Sequence, residues 1–389
     1  MVGVAGDPVA STAGRVRAWV DPQALRDNLA VVRRLAPQAA VMAVIKADGY
    51  GHGALRVAAA LAGQVESFAV AALSEAVALR EGGRREPICV LGGLTEAEQW
   101  DRAEALGLTV VVHAQYQLDE LRRRAAPPRF WLKFDTGMGR LGFAAAEAGA
   151  VAAQLDARLQ ACCAGVMTHM ACADEEDAAA LAHMRGQLQA LETHLRGAFP
   201  EARLSVANSA SVVAWPQTRV GLMRPGLMLY GVLPFALDSA ARAGLGLRPA
   251  MRLEARVLDV KTLPAGHGVG YGATWTAPTA TRIAILAAGY ADGILRSLAG
   301  SDYPLQTATG HALPLRGRVS MDMIAAEVPA DATLAPGDWV GLWGAGAQAV
   351  EVAAAAAGTA PYELLTALGG RVAHGEASLG AAITPQAGD

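Results

Sequence analysis

The sequence predicts an α/β chain in two parts, an N-terminal (β/α)8 barrel of the TIM type followed by a mostly β C-terminal domain. In the first part, apolar strand-like runs alternate with helical patterns, and helical connections require parallel pairing of the strands. The runs number about eight, which favours a closed barrel over an open doubly wound sheet. In the second part the helical periodicity ends, and short β-like runs alternate with Gly and Pro turns. We expect a loose tail at 1–14, the barrel at 15–245 and the β-rich domain at 246–389.

The predicted barrel is assembled from βα units. Asp21 is expected to cap a helix that has a proline at its first position and ends at Leu35. The apolar run Val41–Ile45 predicts a buried strand, which stops at Lys46 and leads through a glycine-spaced loop into a helix at Ala54–Leu61. The later strands of the barrel are predicted at Ser67–Ala71, Ile88–Leu91, Leu108–Val112, Arg129–Asp135, Cys163–Met167, Leu204–Val206 and Val220–Met223. Strands of the second domain are predicted at Arg256–Leu258, Arg282–Leu286 and Asp338–Leu342.

Polar residues end several of the predicted barrel strands. The carboxyl ends of barrel strands meet on one face, and that face carries the active site in barrels of this kind. A doubly wound sheet would also gather its ligands at the carboxyl ends of its strands. We therefore expect one shared site formed by the polar residues that follow the strands, namely Lys46, Asp135, His169, Asn208, Ser209 and Arg224.

Composition excludes several classes of protein. The 389 residues carry a net charge of −3, and no basic run could follow a nucleic-acid backbone. No apolar stretch is long enough to span a bilayer, and Asp7 and Pro8 interrupt the position of a signal-peptide core. The cysteines have neither disulfide-framework nor metal-site spacing, and the histidines lack ligand spacing, so we expect no metal. We expect buried thiols in a reducing cytoplasm at Cys89, Cys162, Cys163 and Cys172.

Lys46 is a candidate nucleophile. A lysine is rarely buried without a partner or a task, and desolvation lowers its pKa, which makes the amine reactive toward an aldehyde. A lysine at the end of a strand can also extend into water, and that alternative is the commoner one for an isolated lysine. The motifs in the rest of the chain favour the reactive amine.

These motifs resemble those of the bacterial alanine racemases, which use pyridoxal 5′-phosphate (PLP). The matching segments follow the family's order and cover nearly the whole chain after Arg17: Val44–Gly53, Lys133–Gly142, Thr168–His169, Asn208–Ser209, Arg224–Gly226, Gly270–Gly272, Ser320–Asp322 and Pro361–Glu363. The resemblance implies a racemase that interconverts L- and D-alanine and supplies D-alanine for peptidoglycan. The rivals are a serine or broad-specificity racemase, a PLP decarboxylase, and a non-catalytic PLP carrier consisting of a barrel alone.

The resemblance implies two catalytic bases on opposite faces of the substrate. Lys46 would hold PLP and act on one face, and Tyr271 would act on the other face from the second subunit of a homodimer with shared sites. A phenol is a poor base at neutral pH, so cationic neighbours are required, with Arg140 and the His169–Arg224 pair as candidates. A structural tyrosine in a glycine-rich turn is the alternative for Tyr271.

The resemblance also assigns residues to the cofactor. Arg224 would donate a hydrogen bond to the PLP ring nitrogen with His169 beside it; a phosphate-binding or surface arginine is the alternative. The phosphate would be held by neutral donors. The cofactor-binding residues implied are Lys46, Tyr50, His169, Asn208, Ser209, Arg224, Gly226, Leu227 and Tyr362.

Substrate contacts are implied at three positions. Arg140 would hold the carboxylate of the amino acid, assisted by the Met321 backbone, with Asp322 nearby. Lys133 would lie beside Arg140 on a buried strand, and two unpaired cations at low dielectric are costly. The family's solution is a carbamate formed on this lysine by CO₂, and a Lys133–Asp135 salt bridge is the alternative.

Overall fold

The computed structural model describes residues 14–237 and 244–379, so the predicted tail at 1–14 lies almost entirely outside the described residues. The strands, in chain order, are β1 (Val16–Val20), β2 (Ala40–Val44), β3 (Ser67–Val70), β4 (Ile88–Val90), β5 (Thr109–Val112), β6 (Phe130–Asp135), β7 (Phe143–Ala144), β8 (Cys163–Met167), β9 (Leu204–Ser205), β10 (Leu222–Met223), β11 (Met251–Leu263), β12 (Gly268–Val269), β13 (Trp275–Thr276), β14 (Thr281–Leu286), β15 (Pro304–Thr307), β16 (Ala312–Arg316), β17 (Ile324–Glu327), β18 (Trp339–Gly344) and β19 (Ala373–Glu376).

The helices alternate with the strands through the first part of the chain. They are α1 (Pro22–Leu35), α2 (Lys46–Tyr50), α3 (Ala54–Leu61), α4 (Leu73–Glu81), α5 (Ala97–Ala105), α6 (Gln115–Arg123), α7 (Ala148–Ala152), α8 (Ala157–Cys162), α9 (Ala178–Ala190), α10 (Ser209–Ala214), α11 (Val350–Ala357) and α12 (Pro361–Thr366). The Asp21 carboxylate accepts the N–H groups of Gln23 and Ala24, so the predicted cap and the predicted end at Leu35 are confirmed. None of the helices within the described ranges is both long and apolar enough to cross a membrane.

The first sheet is a parallel barrel, as predicted. Its strands pair in the order β10-β2-β3-β4-β5-β6-β8-β9, with every pairing parallel. The ring closes between β9 and β10, where the Ser205 hydroxyl donates to the Leu222 carbonyl at 2.6 Å and the Arg224 N–H to the Ala207 carbonyl at 2.9 Å. The strands are buried on both faces, which explains their continuous apolar sequences.

The second sheet is antiparallel in most of its pairings and also closes on itself. Its order is β14-β17-β16-β15-β18-β11-β1-β19, and a further pairing of β14 with β11 completes a ring of six strands. Strand β1 lies in this sheet, paired with β11 and β19, although its chain position falls inside the range predicted for the barrel. The alternating burial of Val16–Val20 explains the placement, because a strand with one half-exposed face suits an antiparallel sheet better than a barrel wall.

Glu254 joins the N-terminal strand to the second domain. Its side chain is only 5% exposed and lies 2.6 Å from Arg17 and 2.7 Å from Arg252, and the Trp19 indole N–H donates to it at 3.2 Å. The Arg17 guanidinium also stacks over Trp339, 3.7 Å from the ring centroid. A buried carboxylate is tolerated here because each of its oxygens has a cationic partner.

We expect Glu254→Ala to lower the free energy of unfolding by about 3 kcal/mol, because it leaves two partly buried arginines without their anionic partner. Urea unfolding followed by tryptophan fluorescence measures the change. Glu192→Ala is the control, since the exposed Glu192–Arg196 pair on a helix is worth only about 0.5 kcal/mol. Equal losses in the two variants would contradict the role assigned to Glu254.

Candidate active site

A cavity of about 390 Å³ opens at the carboxyl ends of the barrel strands. The residues that line it come from distant parts of the chain, as the barrel geometry requires. The structure brings eleven of the sequence-predicted site residues together in this cavity: Lys46, Tyr50, Lys133, Arg140, His169, Asn208, Ser209, Arg224, Gly226, Leu227 and Tyr362. Asp135, which also ends a barrel strand, does not line the cavity.

The backbone after Lys46 makes a left-handed turn. Ala47, Asp48 and Tyr50 have φ between 50° and 52°, with Gly49 at 64° among them, so the segment Lys46–Tyr50 is not a regular right-handed helix. Each non-glycine residue in this conformation costs roughly 1 kcal/mol or more, and such strain persists only where surrounding contacts enforce it. The Asp48 carboxylate contributes one such contact by accepting the Ala54 N–H at 2.7 Å, which joins the turn to α3.

Lys46 lies in a setting that favours its neutral amine. Burial lowers the pKa of Lys46, the cationic Arg140 lowers it further, and only the Glu75 carboxylate opposes these effects. A lowered pKa increases the fraction of free amine at neutral pH, which is the form that attacks an aldehyde and accepts a proton. The sequence prediction of a desolvated lysine agrees with this environment.

The cavity has a strongly positive lining. Four of its side chains are cationic, and the described lining contains no Asp or Glu; the four are Lys46, Lys133, Arg140 and Arg224. Lysine is rare in this chain: of its 33 basic residues, Lys and Arg together, only three are lysines, and two of those three line this cavity. Guanidinium cannot lose its proton in a protein, so a lysine is needed wherever a neutral amine has a task.

Lys133 has no neutralising partner among residues 14–237 and 244–379. Burial lowers the pKa of Lys133 to about 8, and Arg224 and Arg140 contribute to the decrease. Asp135 is close enough to oppose the shift, but its carboxylate accepts the backbone N–H groups of Gly137, Met138 and Arg140 at 2.7–2.9 Å. The alternative of a Lys133–Asp135 salt bridge is therefore wrong, because the carboxylate folds back onto its own loop.

Arg224 and His169 form the floor of the cavity. The guanidinium is fully buried and donates to the Ser205 hydroxyl at 2.6 Å, to the Thr168 carbonyl and to Nδ1 of His169 at 3.3 Å. Burial, together with Arg224 and the other cations, holds the pKa of His169 well below its ordinary value, so the ring is neutral and can accept this bond. Burial also lowers the pKa of Arg224, to about 10, which leaves it charged at neutral pH. The surface-arginine alternative for Arg224 is wrong.

Neutral hydrogen-bonding groups gather at another part of the cavity. The Ser209 hydroxyl accepts the N–H groups of Gly226 at 2.9 Å and Met228 at 3.3 Å. Burial raises the pKa of Tyr50 and of Tyr362, so both phenols keep their protons as donors. A Cβ on Gly226 would lie 2.6 Å from the Tyr50 hydroxyl, and glycine therefore keeps this part of the cavity open.

Three predicted residues of the second domain, Tyr271, Met321 and Asp322, lie outside this cavity in the single chain, whereas Tyr362 lines it. Tyr271 is 73% exposed and lines a separate cavity of about 410 Å³ with Arg318 and Ser320. Met321 is exposed, and the Asp322 carboxylate pairs with Arg371 at 2.8 Å. The structure thus groups Tyr271 with Ser320 in one cavity and Arg140 with Lys46 in another.

Sequence reasoning missed Glu75. It is the third residue of α4, and its carboxylate accepts the Ala47 N–H at 2.6 Å, directly after Lys46. Its position at the start of a helix is visible in the sequence as a capping residue. Its contact with the neighbouring βα unit depends on the barrel and is not visible there. Of the predicted buried thiols, Cys89 is buried, while Cys162, Cys163 and Cys172 are only partly so.

Comparisons with known proteins identify the family. Two family models match the chain, that of the alanine racemase N-terminal domain at residues 20–234 and that of the alanine racemase C-terminal domain at residues 250–375. The alanine racemase of Nitrosococcus oceani is 44% identical over 363 residues, which cover 92% of this chain and 98% of that protein.

Solved structures agree with the sequence comparison. The biosynthetic alanine racemase of Pseudomonas aeruginosa superposes with a TM-score of 0.84 at 38% identity, covering 94% of this chain and 99% of that one. The alanine racemase of Bartonella henselae, whose crystal structure is described with covalently bound pyridoxal phosphate, gives a TM-score of 0.81 at 26% identity and covers 94% of this chain and 100% of that one. The chain therefore belongs to the alanine racemase family.

Proposed function

We propose that this chain is a PLP-dependent alanine racemase that interconverts L- and D-alanine and supplies D-alanine for peptidoglycan. The observation that carries the proposal is a barrel cavity lined by four cations and by no acidic residue in its described lining. Such a lining suits a ligand set with several negative groups, here a cofactor phosphate and an amino-acid carboxylate. The names of the relatives at 44% and 38% identity support alanine as the substrate.

The residues of the cavity fit PLP. The neutral donors of Tyr50 and Tyr362 and the Ser209–Gly226 cluster suit a phosphate dianion, and Gly226 leaves the room that a side chain would fill. Asn208 and Leu227 complete this wall. The amine of Lys46, whose pKa is lowered, would hold the aldehyde carbon of the cofactor. When bound, PLP supplies an electron-withdrawing ring that acidifies the Cα proton of an amino acid joined to it.

Lys46 would move the proton on one face of the substrate. Its Nζ accepts a proton from Cα when the amine is neutral, and burial with Arg140 nearby favours that form. Arg224 would donate to the ring nitrogen of the cofactor. Because its guanidinium keeps its protons, it cannot transfer one to that nitrogen. His169 accepts from Arg224 and so helps to orient it.

Tyr271 would be the second base, contributed by the partner subunit of a homodimer. The proposal is supported by its 73% exposure and by its separation from Lys46 within one chain. The proposed division into a barrel at 15–245 and a β-rich domain at 246–389 gives each subunit both halves of a shared site. Arg140 would hold the substrate carboxylate, with the backbone of Met321 and the nearby Asp322 completing the subsite from the second domain.

Lys133 would carry a carbamate. The ammonium would first lose a proton to solvent; the neutral amine would then add to the carbon of CO₂, forming a C–N bond as one C=O π bond opens, and would release a second proton, so a cation becomes an anion. The product would neutralise Arg140 in a cavity whose described lining has no carboxylate. A pKa near 8 makes the neutral amine accessible at moderate pH. The charge change thus removes the like-charge repulsion around Lys133.

The first test follows the optical rotation of L-alanine over time with purified protein and added PLP. We expect decay to zero rotation for the wild type and no decay for Lys46→Ala, which lacks the amine. Unchanged rotation with PLP bound would refute alanine as the substrate, and L-serine would then be tested. Release of CO₂ would instead indicate a decarboxylase.

Tyr271→Phe should bind PLP as the wild type does and lose racemisation by at least about 100-fold, because one general base is removed. Absorbance titration measures PLP binding, and polarimetry measures the rate. Tyr116→Phe is the control, since Tyr116 is exposed on α6 and does not line the cavity. Full activity of Tyr271→Phe, or of a monomer at high dilution, would contradict the two-base proposal.

Protein equilibrated with ¹³C-labelled bicarbonate should give a carbamate ¹³C resonance that is absent in Lys133→Ala. The signal should strengthen as the pH rises toward and past 8, because deprotonation of an amine whose pKa is near 8 supplies the reactive form. Lys261→Ala is the control, since Lys261 is half exposed beside Asp259. A signal that is unchanged in Lys133→Ala would disprove the assignment.

A further inference from the structure

The carboxylate of Glu75 is divided between two βα units. Its Oε2 accepts the N–H groups of Ala71 and Ala72, at 2.7 and 3.0 Å, in the loop that leads into its own helix α4. Its Oε1 accepts the N–H of Ala47, at 2.6 Å, in the loop that follows Lys46. One oxygen therefore fixes the side chain, and the other holds the neighbouring backbone.

The next two helices use the same position with a neutral side chain. In α5, Oε1 of Gln99 accepts the N–H groups of Thr95 and Glu96, the counterparts of Ala71 and Ala72. In α6, Oε1 of Gln117 accepts the His113 N–H at 2.8 Å. The Nε2 group of Gln117 then donates to the Leu94 carbonyl in the preceding unit at 3.1 Å. Capping these loops therefore does not require a charge.

The chemistry of the neighbouring backbone group explains why α4 has a carboxylate instead. In α6 the end of the Gln117 side chain that does not cap the loop faces the Leu94 carbonyl, and an amide NH₂ group can donate to it. In α4 the corresponding atom is Oε1 of Glu75, which faces the N–H of Ala47. Only a hydrogen-bond acceptor can bond to that N–H. A glutamine at position 75 could keep the cap with its oxygen, but its NH₂ group would then face another donor.

The contact with Ala47 bears on the strained turn. Ala47 is the first of five consecutive residues with positive φ, 47–51, and it directly follows Lys46. Other N–H groups of the turn bond locally, with Gly49 donating to Ile45 and Gly51 donating to Ala47. The bond from Ala47 to Glu75 instead ties the turn to α4. A backbone with positive φ at non-glycine residues persists only where contacts with the surrounding structure enforce it.

Glu75 also supplies negative charge beside the cationic cavity. Lys46 and Glu75 both line a shallower adjoining cavity of about 570 Å³, together with Tyr50 and Tyr362. The carboxylate raises the pKa of Lys46, against burial and against Arg140. The Glu75 carboxylate therefore partly offsets the decrease in the pKa of Lys46 that the positive lining of the main cavity causes.

We propose that Glu75 is a positioning residue for Lys46, which fixes the left-handed turn through the amide of Ala47 and places a compensating negative charge beside the amine. Glu75 does not touch the reacting atoms in this role. The inference rests on the proposed function of Lys46 as the residue that holds PLP. It extends that function by assigning the orientation of the lysine to the neighbouring βα unit.

The test compares Glu75→Gln with the wild type by two measurements. The first is the labelling rate of Lys46 by acetic anhydride in PLP-free protein, read by mass spectrometry with the half-exposed Lys261 as internal reference. The second is the apparent Kd of PLP from absorbance titration. Glu147→Gln is the matched control, because the Glu147 carboxylate also caps a helix start, accepting the Ala144 N–H at 3.0 Å, but does not line the cavity.

We expect Glu75→Gln to label roughly threefold faster at pH 8, since losing the carboxylate increases the fraction of free amine. We expect its PLP affinity to fall about tenfold, which is the usual scale for losing a hydrogen bond to a charged group. Glu75→Asp keeps the charge but is too short for both contacts. It should label at the wild-type rate and still bind PLP more weakly.

The proposal is overturned if Glu75→Gln matches the wild type in either measurement, if Glu147→Gln changes to the same extent, or if Glu75→Asp binds PLP as tightly as the wild type. Gln99 in α5 shows that a neutral cap is compatible with this fold, so the glutamine variant tests the contact with Ala47 rather than folding. Wild-type protein that fails to bind PLP would refute the proposed function instead. The labelling of PLP-free protein would still report on Glu75 in that case.

Discussion

The crowding of positive charge at one end of the barrel is the constraint on which the rest of the site depends. Lys46, Lys133, Arg140 and Arg224 face one cavity whose described lining contains no acidic residue. At low dielectric such a group of cations is unfavourable unless amines lose protons or anions enter. The two lysines can lose protons and the two arginines cannot, so only the lysines can present a neutral amine in this cavity.

The protein meets this constraint with backbone groups and neutral side chains. Asp135, which could have neutralised Lys133, is occupied by three backbone N–H groups, and His169 is kept neutral by burial and by the cations around it. The phenols of Tyr50 and Tyr362 stay protonated. The lining therefore remains positive and able to take up anionic ligands.

Packing holds the left-handed turn after Lys46 from several sides. The Tyr50 ring, at the end of the left-handed turn, lies 4.9 Å from the ring of Tyr230 and 6.0 Å from that of Tyr362 in the second domain. The buried His52 ring packs 4.5 Å from Tyr230 and bonds through Nδ1 to the Tyr50 carbonyl. Strain in the turn is thus opposed by aromatic contacts from the barrel and the second domain, and by hydrogen bonds from α3 and α4.

The sequence by itself predicted the eight barrel strands, their parallel pairing and the polar residues that end them, because period, length and turn residues are local properties of the chain. The motifs that resemble those of the family also predicted the eleven cavity residues, because the spacing of a motif can be read without knowing the fold. Only the tertiary structure placed Val16–Val20 in the second sheet and turned Asp135 away from Lys133, because both depend on competing partners from elsewhere in the chain. Glu75 shows the same limit, since its helix position is local but its bond to Ala47 exists only where two parallel βα units lie side by side.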